Sequence, residues 1–357
     1  MTSEDRSKID HDSDNDDDSS YDDDPYVKSI VSKQHGGATV ETGVIVNYPG
    51  LVEDPAFNKP LTLSTVLQED DLAPLFHGTQ WAGTRVWKAA LLAIDYVLQN
   101  VVAPMKQKQK DENGQPQQKL SLLELGCGLG VPGMVLHALH PTIFNNVVLT
   151  DQQALLLQLD HNLKHNFGSQ DGKDNAVTLE IDPMYSIHAR ALSWTTFAEQ
   201  EQDQGNHVVE EEAFTSTSDE RTTSAATETT IQSLVEEMGP VDICLNCDCV
   251  YEPLYGRHAW IALADTLTTL AKINHAKSPK SARPLLLLTS VERRAADAVE
   301  DFLDRLESQL QDVISTSASS EDNSNAGKIV ERVFVDDTDH HHVIEIYAAR
   351  IPALSHL

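Results

Sequence analysis

LSLLELGCGLGVPGMVLHAL, residues 120–139, decides how the rest of this 357-residue chain is read. The apolar run Leu120–Leu125 reads as a buried strand, glycines follow at Gly126, Gly128, Gly130 and Gly133, and Met134–Leu139 resumes a pattern suited to a helix. A strand, a glycine turn and a helix N-terminus make a site where backbone N–H groups face a ligand and no Cβ blocks its approach. Taken literally, Gly128-x-Gly130-x-x-Gly133 fits the dinucleotide fingerprint, which keeps an NAD(P)-dependent oxidoreductase open. Glu124, two residues before the first glycine, points elsewhere. A carboxylate at that strand end suits a cationic ligand end, such as the amino acid part of S-adenosylmethionine, better than a pyrophosphate.

Outward from this stretch, strands and helices alternate. Toward the N-terminus, helix 86–101 repeats apolar Val86, Ala90, Ala93/Ile94 and Val97 at helical spacing. Before it, residues 38–46 and 61–67 alternate as strands and predict an N-terminal hairpin. Toward the C-terminus, NVVLT (146–150) ends at Asp151 and precedes a helix, and 177–181 with 189–194 makes a third strand region. VDICLNCDCVY (241–251) is a fourth strand, LLLLTS (285–290) a fifth, and each is followed by a helix, the second of them 294–311. Two last runs around Asp336–His340 read as a closing hairpin that places one antiparallel strand on the sheet. This alternation predicts a doubly wound, mostly parallel sheet with its ligand at the carboxyl ends of the strands.

The net charge of −30 is concentrated. Residues 4–24 carry a net of −9 and residues 197–238 a net of −10, so the rest of the chain is only mildly acidic. Residues 1–35 read as a disordered acidic tail, and 105–119, 195–238 and 313–327 as polar inserts. With no Lys/Arg cluster to face phosphates, nucleic acid is not an expected partner. No apolar run approaches the roughly 18–20 residues that span a bilayer. The acidic N-terminus lacks the apolar core of a secretory signal, so a cytoplasmic location, with the nucleus as a second, is the expectation.

Cys244, Cys247 and Cys249 lie within an apolar run without a second pair, and read as small buried residues with Cys127. His340–His342 read as hairpin residues, because three consecutive histidines cannot face one ion. No metal is expected.

Four positions carry the chemistry. Asp151, 23 residues after Gly128, can accept hydrogen bonds from both hydroxyls of a ribose, or cap a helix. Asp248 and Tyr251 stand where the fourth strand exits, and suit methyl transfer to an amine: the carboxylate orients the nitrogen while the ring walls a channel. Trp87 and Trp194 read either as core or as walls of a ligand site. Arg85 can pair with a carboxylate, whereas Arg293 and Arg294 read as a solvated helix start.

These residues occur together in a recognisable order: V-W-x-A-A at 86–90, E-L-G-x-G-x-G at 124–130, an acid at 151, a Trp at 194 and D-x-x-Y at 248–251. The chain resembles the seven-strand, S-adenosylmethionine-dependent protein-lysine methyltransferases of the methyltransferase-like family (methyltransferase family sixteen), over roughly residues 75–350. The resemblance implies a class I methyltransferase (Rossmann-like) α/β domain at 75–352, with the hairpin extension at 36–74. It implies that Trp87 borders the cofactor S-adenosylmethionine. Glu124, Gly126, Cys127, Gly128 and Gly130 would wrap its methionine part, Asp151 its ribose and Trp194 its adenine. Cys247 would touch the cofactor, and Asp248 with Tyr251 would be catalytic. The implied partner is a protein substrate, basic or else a chaperone or translation-related protein, met by a monomer without membrane contact. Asn246-Cys247 in place of the family's usual Gly-Ala, the Pro253 that follows and the long insert leave other acceptors open: histidine, an N-terminal amine, a small-molecule amine. A non-catalytic binding module is the remaining alternative.

Overall fold

The computed structural model describes residues 24–33, 39–55, 57–65, 79–111, 119–168, 186–194, 229–277, 283–315, 328–339 and 342–352. Within them lies a small antiparallel sheet in the order β1 (Val27–Lys33), β2 (Thr39–Val46), β3 (Leu61–Ser64). The main sheet has seven strands: β4 (Leu120–Leu125), β5 (Phe144–Asp151), β6 (Ile187–Ala191), β7 (Ile243–Cys247), β8 (Leu285–Glu292), β9 (Val330–Asp336) and β10 (Ile344–Ile351). Their order is β6–β5–β4–β7–β8–β10–β9. The first five are parallel, and β10 runs antiparallel to both β8 and β9. This is the Rossmann-like class I arrangement expected from the sequence.

Eight helices are described: α1 (Lys88–Val97), α2 (Ala103–Asp111), α3 (Val131–Leu139), α4 (Leu156–Phe167), α5 (Ile231–Met238), α6 (Glu252–Tyr255), α7 (Arg257–Lys277) and α8 (Val299–Ser315). Alternate residues of the central strands serve two different cores, because successive side chains leave a strand on opposite faces. Leu122, Leu245, Leu286 and Leu288 pack with Ile94, Met134 and the small sheet. Leu123, Cys244 and Leu287 pack with Trp260, Leu267, Phe302 and Leu306. In α8 the buried residues Val299, Phe302, Leu303, Leu306, Leu310 and Val313 recur at three- and four-residue steps, the stripe a surface helix turns to its core.

The small sheet is docked by two asparagines on α4. Asn166 Oδ1 accepts from Thr62 N at 3.0 Å and its Nδ2 donates to Thr62 O at 2.9 Å. Asn162 does the same with Ser64 N and O, at 2.8 and 3.1 Å. Four residues of helix rise about 6 Å and two residues of strand about 6.6 Å, so this pair imitates a neighbouring strand. The free edge of β3 is thereby satisfied.

Several boundaries differ from the sequence-based expectation. Val27–Lys33 falls in the region predicted to be a disordered tail, yet it pairs with β2, so the hairpin is a three-stranded sheet. The insert predicted at 105–119 is helical through Asp111, because the chain passes from α1 through a π turn at Leu98–Val102 directly into α2. The end of the predicted 195–238 insert is α5, whose Thr230 and Ser233 form a reciprocal capping box and whose Ile231, Leu234 and Val235 are buried. The predicted helix 294–311 begins at Val299 instead and continues to Ser315, because residues 293–298 form a turn. The predicted strand 177–181, residues 1–23 of the tail, 112–118, 195–228 and 316–327 of the inserts, and His340 and His341 lie outside the described residues.

Candidate active site

Register places the site. Leu125 of β4 pairs with Thr150 of β5 and with Asn246 of β7. The residues that follow, Gly126, Asp151 and Cys247, therefore emerge side by side at the carboxyl edge of the sheet. They open onto a cavity of about 290 Å³ lined also by Trp87, Glu124, Cys127, Gly128 and Trp194.

The glycine turn is shaped by its own protein neighbours. A Cβ on Gly126 would meet Cys249 Sγ at 2.8 Å and Trp194 Cζ2 at 2.9 Å, and one on Gly128 would meet Gly83 O at 2.9 Å. Gly130 caps α3 in the left-handed region, its missing Cβ directed at Leu149 and Leu159, and it does not line the cavity. Gly126 and Gly128 line the cavity, while the space left by their missing Cβ atoms is taken by Cys249, Trp194 and the turn Thr79–Thr84.

Four backbone donors of the turn are already bonded within the protein. Cys127 N donates to Thr150 O at 3.0 Å and Gly130 N to Cys127 O at 2.7 Å. Gly128 N donates to Asp151 Oδ2 at 2.7 Å, and Gly133 N to Glu124 Oε2 at 2.8 Å. The turn thus presents carboxylates to the cavity where a dinucleotide site would present N–H groups. Burial pushes Glu124 up to about 8, against the hydrogen bond from Gly133, with the Asp151 charge adding to the rise. Burial raises Asp151 as well, while the Gly128 and Gln152 N–H groups pull it down. Burial also pushes the thiols of Cys127, Cys247 and Cys249 well above their ordinary value, so they stay protonated and neither attack nor ligate. Among the described residues no cluster of three or more His, Cys, Asp or Glu is arranged to hold a metal ion, and no helix is long and apolar enough to cross a membrane.

Asp248 and Tyr251 line a second cavity, of about 730 Å³, which shares Arg85, Trp87 and Tyr255 with the first. Asp248 leaves β7 in a left-handed conformation, φ 56°, one that aspartate tolerates better than most residues. Its side chain is 2% exposed and is gripped by Arg294, Nη1 to Oδ1 at 3.0 Å and Nη2 to Oδ2 at 2.8 Å. Glu292 N donates to Oδ1 at 3.1 Å. Burial raises the Asp248 carboxyl and the guanidinium opposes that rise.

The reading of Arg293 and Arg294 as a solvated helix start is therefore corrected. Arg293 is bound by Asp297 at 2.8 Å and Glu345 at 2.7 Å, and Arg294 by Asp248 and by Glu292 at 2.6 Å. These partners lie up to 52 residues away in sequence. Tyr255 and His258, which line the first cavity, were also missed. The four-residue spacing of Tyr251 and Tyr255, on either side of Glu252-Pro253, was the available signal for the former. Burial raises the Tyr255 hydroxyl above its ordinary value, which keeps it protonated. The ring of Trp87 lies 5.5 Å from the Arg85 guanidinium carbon and 5.4 Å from that of Arg294, with Nε1 donating to Ala82 O at 3.0 Å.

Residues 68–206 match a family model described as lysine methyltransferase. A protein of Plasmopara viticola, described as secreted RxLR effector protein 48, is 33% identical over 175 residues. That alignment takes in 49% of this chain and 64% of the relative, so the chain spans just under two thirds of the length of the curated relative it matches. Among solved structures, similarity is found to an S-adenosylmethionine-dependent methyltransferase from Agrobacterium tumefaciens, with 10% identity, 90% of this chain and 77% of that one covered, and a TM-score of 0.39. It is found also to the rRNA methyltransferase aviRa from Streptomyces viridochromogenes, with 13% identity, 80% and 94% covered, and a TM-score of 0.35.

Proposed function

We propose, for a chain whose residues 68–206 carry the lysine methyltransferase pattern, S-adenosylmethionine-dependent methylation of a lysine side chain on a protein. The observation that carries the cofactor half of this reading is the pairing of the glycine turn with carboxylates. With the N–H groups of Cys127, Gly128, Gly130 and Gly133 already bonded, a pyrophosphate would meet the carboxyl oxygens of Glu124 and Asp151 in place of those four donors. A cationic ligand end beside Glu124 would draw that carboxyl back toward its ionised form, and ribose hydroxyls suit Asp151. Trp87, Asp151, Trp194 and Cys247 would hold it with the residues of the turn, and when bound it supplies an activated methyl group.

What the chain itself contributes is placement and a change of protonation. A free lysine, with a pKa near 10.4, is neutral in about one molecule in a thousand at pH 7, and only the neutral amine has the lone pair to attack. An acceptor reaching past the Trp87 and Tyr251 rings toward the partly buried junction of the two cavities loses water, which favours the neutral form. Asp248 and the protonated Tyr255 hydroxyl lie along that route as hydrogen-bond partners able to orient the nitrogen.

Calorimetric titration with S-adenosylhomocysteine and, separately, with NADH tests the cofactor, and binding of the dinucleotide alone would end the proposal. Labelling of a cell lysate with a methyl-labelled cofactor, followed by mass spectrometry, tests the acceptor. Label confined to small molecules or to histidine would refute the lysine assignment. The basic protein partner, the monomeric state and the cytoplasmic or nuclear location expected from the sequence stay part of this proposal.

A further inference from the structure

Arg294 fills a seat built for a side-chain cation. Two carboxylates converge on its guanidinium: Asp248 through both oxygens, at 3.0 and 2.8 Å, and Glu292 at 2.6 Å. Two aromatic rings flank it, with the guanidinium carbon 5.4 Å from the Trp87 centroid and 5.2 Å from the Tyr251 centroid. Asp248 and the two rings are groups that the proposed function assigns to the acceptor amine, so the acceptor and Arg294 cannot both use them.

We propose that Arg294 is a specificity-determining residue that occupies the acceptor's cation seat, and that a lysine side chain enters by exchanging with it. This inference rests on the methyltransferase reading. Three features make the exchange physically reasonable. First, the cation is the exposed member of the cluster: Arg294 is 22% exposed, against 2% for Asp248 and 13% for Glu292. Its side chain therefore has a path toward solvent that the carboxylates lack. Second, its backbone is fixed independently of its side chain. Arg293 N donates to Val343 O at 2.7 Å, Arg294 N to Asp297 Oδ2 at 3.1 Å, and the Arg293 side chain is tied to Asp297 and Glu345. The long Arg294 side chain can therefore swing while the turn stays in place. Third, charge balance selects what replaces it. With Arg294 withdrawn, Asp248 would lose its paired cation in a largely buried site and Glu292 would keep only His342, at 2.6 Å, so an incoming cation is favoured there.

The exchange discriminates among acceptors. A guanidinium forks onto a carboxylate with two parallel hydrogen bonds, whereas an ammonium is a point charge. A lone lysine side chain therefore competes poorly, and a lysine carried by a protein that makes further contacts around the second cavity competes well.

The test uses the full chain and n-butylammonium as the probe, read by calorimetry with and without S-adenosylhomocysteine. We expect Arg294→Gln to bind the probe at least tenfold more tightly than the unsubstituted protein, and the double variant Arg294→Gln, Asp248→Asn to lose that gain. Equal binding by the unsubstituted protein and Arg294→Gln, or a gain that survives Asp248→Asn, would overturn the proposal. If Arg294→Gln fails to fold, the Nε resonance of Arg294, assigned by its loss in Arg294→Lys, decides on the unsubstituted protein. Saturating n-butylammonium should move it to the position of a free arginine, and an unmoved signal overturns the exchange. Failure of S-adenosylhomocysteine to bind would strike the methyltransferase reading alone, because the probe titration without it still reports on the seat.

Discussion

Glu124 and Gly133 stand on opposite sides of the glycine turn, joined by a 2.8 Å hydrogen bond from the backbone N–H to Oε2. The carboxylate is 1% exposed, and its pKa is pushed up to about 8 by burial. A carboxyl raised in the folded state gives stability that is full below its unfolded value, near 4.5, and is lost as pH rises through 8.

Glu124→Gln removes that dependence and keeps an oxygen for Gly133. The stability of the variant relative to the unsubstituted protein should be near zero at pH 4.5 and should grow in the variant's favour toward pH 8. The gradient should be on the order of 1 kcal/mol per pH unit. Chemical denaturation of both proteins across this range checks it. A flat difference would mean that the carboxylate is held ionised.

Gly128→Ala combines two penalties at one position. Its φ of 52° is unfavourable for a residue with a Cβ, and that Cβ would sit 2.9 Å from the carbonyl oxygen of Gly83. A loss of about 2–4 kcal/mol is expected from the left-handed backbone and the overpacking together, measured by urea unfolding. A loss below about 0.5 kcal/mol would show that the turn around Gly83 is free to move away.

Asp248→Asn should separate the two cavities. Asparagine tolerates the left-handed backbone at this position, so the fold should survive the change. Asp248 lines the second cavity and not the first, so the affinity for S-adenosylhomocysteine should change less than about threefold, under 0.7 kcal/mol. Methyl transfer should fall by roughly 10²-fold or more, the scale of a lost positioning group. A matching loss of cofactor affinity would place Asp248 in the cofactor site.

Asn162→Ala with Asn166→Ala should release the small sheet. Four hydrogen bonds to β3 disappear, while Gln158 Nε2 still donates to Ser64 O. At about 0.5–1.5 kcal/mol each, the double variant should lose roughly 2–6 kcal/mol. Hydrogen exchange at the Thr62 and Ser64 amides should accelerate ahead of that at β4. Unchanged protection there would mean that apolar packing of Leu61 and Leu63 alone holds the sheet.

Strand and helix identities were legible wherever burial imposes a period. β4, β5, β7, β8 and the β9–β10 hairpin follow their apolar runs, and the positions at which they end put Gly126, Asp151 and Cys247 in one row. Less legible were elements whose stability comes from a distant partner. Val27–Lys33 lies beside an acidic run and carries few apolar residues, yet the register with β2 makes it a strand. In the predicted insert, Ile231, Leu234 and Val235 form too short a stripe to stand out from the polar stretch before them.

From the sequence alone came the alternating architecture, the glycine turn after β4, and the acids and aromatics gathered at the carboxyl ends of the strands. These follow from local periodicity and from where an apolar run stops. Tertiary structure alone decided which charge meets which. Glu124 is bound to the turn by Gly133, and Asp248 is held by an arginine 46 residues further on. The physical reason is that a carboxylate's role depends on its burial and on the nearest cation or donor. For Asp248 both are set by the pairing of β7 with β8, which no pattern along the chain encodes.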